Sequence, residues 1–330
     1  VIDLLFVVLP DTLLLDLAGP AEAFRLANRH LDLRGQAPAF RLRFVGPAAS
    51  VPSSVGASLA QLEPLPAAME KPSWIVLLGL PGNGDDAARR VASPSPEWLA
   101  TRHWLSRVIA PALAGELPAE EAGAGLVTIC SGALLAADAG LLAGRRCTTH
   151  HELLEQLAAH APTAQVALNR VFVIDGPVAS SAGITAGIDL ALHLVARVCG
   201  DALAAAVARD MVVFLRRGQD DPQLSPLLAW RNHLHPAVHR VQDAVCERPT
   251  EAWTAEAMAS VAHVTPRHLS RLFREHTGLS PRDYVEQIRV ARAKEALERG
   301  ASAARASEQA GFSSDRQWRR ARARKAARPA

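Results

Sequence analysis

Two places in the chain gather residue types that could do chemistry. Cys130 ends the run Gly125-Leu126-Val127-Thr128-Ile129-Cys130-Ser131-Gly132-Ala133, a buried strand followed by a small-residue turn that starts a helix. Such a turn presents a side chain at the tip of a sheet. A thiol there is expected to feel the helix N-terminus, which lowers its pKa and favours thiolate. A single thiol is more often a buried structural one, but the strand-turn-helix setting favours function. The second place is Thr265-Pro266-Arg267-His268-Leu269-Ser270-Arg271-Leu272-Phe273. Thr265 is a good N-cap and Pro266 suits the first helical position, where no amide partner is needed. Leu269, Leu272, Phe273 and His276 fall at i, i+3, i+4 and i+7 and form an inward stripe, while Arg267, Arg271 and Arg274 share another face. A helix apolar inside and arginine-rich outside fits a DNA major groove, where phosphates give affinity and base edges give specificity.

Three solvated arginines on an ordinary surface helix are the bland alternative, and the charge distribution argues against it. Residues 1–210 carry 15 Lys+Arg and 20 Asp+Glu, a net of −5, whereas residues 211–330 carry 21 and 13, a net of +8. The mild overall charge of +3 therefore hides a basic module on an acidic one. Arg316 to Ala330 contains seven Lys/Arg and no acid, a field that favours polyanions in a salt-dependent way.

The elements that must position these residues follow from length and pattern. A chain of 330 residues with 49% hydrophobic and only 5% aromatic residues predicts two domains packed with Ala, Leu and Val. Val1 to Pro10 holds an acid and lacks a basic flank, so it reads as a buried strand rather than a signal segment. No apolar run reaches the ~18 residues of a membrane span, so no membrane role is expected. Strands are expected near Ile2–Leu9, Phe40–Val45, Trp74–Leu78, Leu126–Ile129, Cys147–Thr149 and Val171–Ile174. Helices are expected near Pro20–His30, Trp98–Ala114, Gly132–Ala139, Glu152–His160 and Thr185–Cys199. This alternation predicts a doubly wound α/β domain with ligands beyond the carboxyl ends of the strands. Toward the C-terminus, helices are expected from about Thr254 to His263, from Thr265 to a C-cap at Gly278, and from Arg282 to Arg299.

Cys130, Cys147, Cys199 and Cys246 are widely spaced without a CxxC pair, which predicts reduced thiols in a cytoplasm. His233, His235 and His239 invite a metal, but no cysteine or acid completes a tetrahedral set, so the expectation is none. The sequence has no Gly-rich phosphate loop or dinucleotide fingerprint, so no cofactor is expected either.

Residues 231–330 resemble an AraC/XylS-type DNA-binding domain, which carries two helix-turn-helix units. The first matches well, and Gly311-Phe312-Ser313-Ser314 sits where the second unit's Gly-Phe pair should be. That second unit departs from the family: Ala306-Ser307 stand where a bulky aliphatic and Ala are usual, and Arg322 where an aromatic is expected, predicting poor packing. The DNA-binding residues implied are Thr265, Arg267, His268, Ser270, Arg271 and Arg274 in the first unit and Ser314, Arg316, Gln317, Arg319 and Arg320 in the second. Cys130-Ser131-Gly132-Ala133, the run Ala139 to Arg146 and Thr148-Thr149-His150 resemble the PfpI-like branch of the class I glutamine amidotransferase-like superfamily. There the elbow cysteine has a histidine and an acid as companions. By position these are His150 and Asp16, the latter in Leu15-Asp16-Leu17-Ala18-Gly19-Pro20, with Gly79–Gly84 supplying amides that face the thiol. Read alone, Asp16 is a cap for a helix beginning near Pro20. PfpI proteases carry a histidine directly after the cysteine, where this chain has Ser131.

Arg216 to Ser225 resembles the Gly/Gln-rich joint of GlxA-type regulators, in which a PfpI-like domain precedes an AraC-type one. The resemblances imply a sensor and dimerisation domain at 1–212, a linker at 213–230 and a DNA-binding domain at 231–330. The expected function is a transcription regulator, a homodimer through its N-terminal domain, that binds double-stranded DNA and senses a small-molecule effector. The effector site would comprise Asp16, Gly79, Cys130, Ser131 and His150. The alternative is a cysteine-dependent enzyme of isonitrile hydratase or deglycase type.

Overall fold

A computed structural model describes residues 1–69, 72–113, 124–213, 217–218, 230, 233, 235–298 and 301–326. The chain divides into two compact units, Val1–Gln223 and Leu224–Ala330.

In the first unit the chain runs through β1 (Ile2–Val7), α1 (Leu14–Asp32), β2 (Phe40–Gly46), β3 (Ser50–Pro52), β4 (Ser58–Ala60), β5 (Glu63–Pro64), β6 (Ser73–Leu77), α2 (Gly84–Ala92) and α3 (Pro96–Trp104). It continues through β7 (Ala124–Ile129), α4 (Gly132–Asp138), β8 (Arg146–Cys147), α5 (Leu154–His160), β9 (Gln165–Val166), β10 (Phe172–Asp175), β11 (Val178–Ser181), α6 (Thr185–Cys199) and α7 (Asp201–Asp210). Seven strands form one sheet in the order β10-β11-β7-β6-β1-β2-β5, parallel except for the edge hairpin β10-β11. Side chains alternate across it. Leu4, Phe6 and Val8 join a core with Phe24 of α1 and Leu190 and Leu194 of α6, while Leu5, Val7 and Leu9 join another with Trp98 of α3 and Leu134 of α4. Each fully buried Leu, Val or Phe contributes about 1.5–3 kcal/mol, so covering both faces makes this sheet the frame for everything at its rim. Among the described residues no helix is long and apolar enough to cross a membrane.

The structure corrects several expectations. α1 starts six residues before Pro20, which lies inside the helix. A proline reads as a first-turn signal, yet its ring denies a partner only to the carbonyl four residues earlier, here that of Asp16. Asp16 therefore sits in the first turn of α1, not in a loop ahead of it. The expected Trp98–Ala114 helix is α-helical only to Trp104, then passes through a π turn (Leu105–Ile109) and a 3-10 turn (Ala110–Leu113). Strand Cys147–Thr149 shrinks to Arg146–Cys147, because the Thr148 amide turns to Ser180 Oγ at 2.9 Å. β11 and α2 were not expected. The former is fully buried but reads Val-Ala-Ser-Ser, without the apolar run that marks a strand; the latter is held by an Asn83 capping box and buries only Ala87.

The second unit comprises α8 (Pro236–Glu247), α9 (Ala255–Ala262), α10 (Pro266–Thr277), α11 (Pro281–Glu298), α12 (Ala303–Gln309) and α13 (Asp315–Ala326). One core gathers Val238, Val241 and Val245 of α8, Met258 of α9, Leu269, Leu272 and Phe273 of α10 and Tyr284 and Ile288 of α11. A smaller one holds Val290 and Ala293 of α11, Ala310, Phe312, and Trp318 and Ala321 of α13. The side chain of Arg322 lies outside the described residues, and the second helix pair takes its apolar anchor from Phe312 and Trp318 instead. Ala306 is completely buried at the position where the family usually has a bulky aliphatic. Arg289 of α11 ties the two halves together by donating to the carbonyls of Pro249 (2.8 Å) and Glu251 (2.6 Å).

Candidate functional site

The strands β11, β7, β6 and β1 are neighbours, and their carboxyl ends bring Gly183, Cys130, Gly79 and Asp16 together. Cys130 follows β7 with φ 53°, a left-handed conformation that a non-glycine residue rarely adopts. Its amide donates to Ser181 O of β11 at 3.1 Å, and its carbonyl accepts from Thr149 Oγ1 at 2.7 Å. The elbow is thus held from both sides. Glycines make room around it. A Cβ on Gly79 would stand 2.8 Å from Cys130 Cβ and closer still to Asp16 Oδ2, and one on Gly183 would stand 2.7 Å from the sulfur.

Asp16 is completely buried. Its Oδ1 accepts the Ile184 amide at 2.7 Å, while Oδ2 lies against Gly79 with no hydrogen-bond partner. Burial lifts its pKa to about 6, against the pull of the Ile184 amide and of the nearby Gly79 amide, which faces the carboxyl group without completing a hydrogen bond to it. Cys130, 6% exposed, departs from the expected thiolate: burial first, and then the Asp16 charge, push the thiol up to about 12, although the Ser131 amide donates to the sulfur. A seven-residue helix behind the elbow supplies too little field to offset the desolvation of a sulfur anion. At neutral pH the pair holds its proton on sulfur and its charge on oxygen.

Ser131 is committed to the framework: its Oγ accepts from Leu80 N at 2.7 Å and donates to Leu80 O at 3.0 Å. It fixes the loop after β6 to the elbow and takes up one of the amides expected to face the thiol. His150 follows Thr149 and so lies beside the elbow backbone. Its ring packs on His151 at 4.2 Å, and its Nδ1 lies 3.8 Å from Glu152. Burial, and then the His151 charge, lower its pKa, and the Glu152 charge opposes them.

Gly183 and Ile184 were missed by sequence reasoning. Ile184 has φ 51° and ψ −120°, conformationally costly for a β-branched side chain. Nothing in Ser-Ala-Gly-Ile-Thr announces this. The glycine before a helical run was the one available signal.

In the second unit the arginine-bearing helix forms as expected. Thr254 caps α9 by accepting from Ala257 N (3.1 Å), His263 ends it in the left-handed region, and Thr265 caps α10 by accepting from His268 N (3.3 Å). Leu269, Leu272 and Phe273 are buried, whereas Thr265, Arg267, His268, Arg271 and Arg274 are exposed and Ser270 is half-buried. Arg271 Nη2 approaches His268 Nδ1 at 3.3 Å, so these two share one surface. His276 is only partly buried and packs on the rings of His233 (5.5 Å) and His235 (4.8 Å). Among the described residues no group of three or more His, Cys, Asp or Glu is arranged to hold a metal. In α13, Ser314 Oγ accepts the Gln317 amide and Gln317 Oε1 accepts from Ser313, which makes both of them caps. Arg316, Arg319 and Arg320 are exposed.

Comparison with known proteins agrees with both halves. Residues 258–329 match the signature of a helix-turn-helix domain and residues 118–197 that of the DJ-1/PfpI family. The chain is 34% identical over 194 residues to the HTH-type transcriptional regulator CdhR of Pseudomonas aeruginosa, covering 58% of this chain and 57% of that protein. It is 33% identical over 179 residues to the HTH-type transcriptional regulator GlxA of Rhizobium meliloti, covering 52% of each. Over 78 residues it is 41% identical to the isonitrile hydratase of Pseudomonas putida, covering 23% of this chain and 32% of that enzyme. The chain spans about half the length of the curated regulators it matches. The elbow cysteine thus falls within the stretch that matches the DJ-1/PfpI family, and the capped arginine helix within the stretch that matches a helix-turn-helix domain.

Proposed function

We propose that this chain is a sequence-specific DNA-binding transcription regulator whose α/β unit senses a small metabolite at the Asp16/Cys130/His150 site. The observation that carries the reading is the exposed Arg267, Arg271 and Arg274 face on a helix anchored by buried Leu269, Leu272 and Phe273. All three arginines stand on the exposed side of the helix, away from that core. A protonated thiol beside a carboxylate whose Oδ2 has no partner suits reversible recognition of a polar ligand better than nucleophilic attack. The α/β unit is proposed to dimerise and set two DNA-binding units on adjacent half-sites. The sensor and dimerisation domain, the linker and the DNA-binding domain correspond in this reading to residues 1–212, 213–230 and 231–330. Free cysteines fit a reducing cytoplasm.

A cysteine-dependent hydratase is the second reading, favoured by the identity to an isonitrile hydratase and by the Asp16–Cys130 juxtaposition. One set of assays separates the two. The regulator reading expects the full chain to enrich a defined duplex from a random-sequence pool and to leave isonitriles, α-oxoaldehydes and small amides unchanged. Rapid Cys130-dependent turnover of any of these without duplex enrichment would establish the enzyme.

A further inference from the structure

Seven residues beyond the end of α7, Arg217 returns to the N-terminal turns of α6, the helix that starts at the elbow site. Its amide donates to Asp189 Oδ1 at 3.0 Å, its Nε to Asp189 Oδ2 at 2.8 Å and its Nη2 to Thr185 Oγ1 at 2.9 Å. Asp189 is buried, so one residue supplies backbone and side-chain donors to a carboxylate withdrawn from water. The planar guanidinium bridges Asp189 through Nε and Thr185 through Nη2, a fixed fork that the single ammonium of a lysine does not reproduce. At the other end of the same short segment, Gly183 abuts the Cys130 sulfur and Ile184 gives its amide to Asp16. Cys130, Gly183, Ile184, Thr185 and Arg217 therefore form an unbroken series of contacts and bonds. The first unit ends at Gln223, six residues after Arg217.

We propose that Arg217 is a latch through which the state of the Asp16–Cys130 pair reaches the segment leading to the helix-turn-helix unit. The moving part is the Ile184 turn. It holds a β-branched residue in a costly conformation, with its carbonyls bonded into the first turn of α6 and its amide bonded to Asp16. A ligand that takes a hydrogen bond to Asp16 weakens this hold and lets the turn relax. Thr185 then shifts and the Arg217 fork loses one of its anchors. Ligand and latch bias the same two-state element, which is the physical requirement for coupling between sites. The proposal rests on the sensor reading above and adds the route by which sensing reaches DNA binding.

The test uses the full chain and a site substitution in place of the unknown effector. Asp16→Ala, which removes the acceptor of the Ile184 amide, is measured in wild-type and Arg217→Ala backgrounds for affinity to a duplex enriched by the wild-type protein, with hydrogen exchange followed over residues 183–189 and 217–218. The latch predicts that Asp16→Ala changes duplex affinity by about fivefold or more in the wild-type background and less than about twofold once Arg217 is gone. It also predicts that each substitution speeds exchange in the other's segment. Asp16→Ala acting equally in both backgrounds, or having no effect in either, overturns the latch. Absence of duplex binding by the wild type would instead sink the regulator reading. If Arg217→Ala does not fold, Arg217→Lys keeps the charge without the fork, and the same two outcomes decide.

Discussion

The amide of Ile184 meets Asp16 Oδ1 at 2.7 Å across 168 residues of sequence. That bond ties the start of α6 to the start of α1 at the mouth of the elbow, and the properties of the site depend on it. Asp16 is held where its charge raises the thiol, and Ile184 is held in a conformation it would not choose alone.

Stability should carry the mark of this arrangement. Asp16 rises from an ordinary 3.8 to about 6, so the fold favours its protonated form. That contribution is full below pH 3.8 and is lost as the pH rises to about 6, leaving the ionised group a burden of up to about 3 kcal/mol at pH 8. Asp16→Asn keeps an Oδ1 acceptor and removes the charge. Denaturant unfolding is expected to show the variant more stable than wild type at pH 8, with the gain vanishing near pH 4. A variant weakened more at pH 8 than at pH 4 would contradict the assignment.

The thiol itself should be slow. With Cys130 near pH 12, its thiolate fraction at pH 8 is roughly a thousandth that of an ordinary cysteine. Iodoacetamide labelling followed by mass spectrometry is expected to mark Cys130 far more slowly than free cysteine, with the rate climbing about tenfold per pH unit through pH 10. Asp16→Asn should speed it by removing the neighbouring charge. A rate already flat above pH 7 would restore the low-pKa nucleophile that the turn alone suggests.

Much of the architecture was legible because it rests on periodicity. The sheet's buried strands, α6 and the capped reading helix are read directly from apolar spacing, Thr265, Pro266 and Gly278. The elbow cysteine was legible from its small-residue turn, but its ionisation was not, because burial is set by β1, β6 and β11 converging on it from distant sequence. Likewise Pro20 hid the true start of α1, and β11 was concealed by serines whose burial only tertiary contacts explain. Ile184 had no signal, since a left-handed β-branched residue is imposed by its surroundings.

The second helix pair should contribute affinity more than selectivity. Ser314 and Gln317 are occupied as caps, and the exposed groups of α13 are the long, adaptable Arg316, Arg319 and Arg320. Replacing all three by Ala is expected to weaken binding nearly uniformly across operator variants and to flatten the salt dependence. Base-by-base substitution of the operator checks this. Strong discrimination in two segments one helical turn apart would show that α13 reads bases as well.

The most direct measurement of the central claim is the affinity of the Arg267→Ala/Arg271→Ala double variant for the selected duplex at physiological salt. Both side chains are exposed, so the fold should survive, which circular dichroism verifies. Loss of a specific base contact costs about 1–3 kcal/mol. The expected result is binding weakened by tenfold or more on the selected sequence, with a smaller loss on unrelated DNA. Unchanged affinity for the selected duplex would show that α10 is not the reading helix.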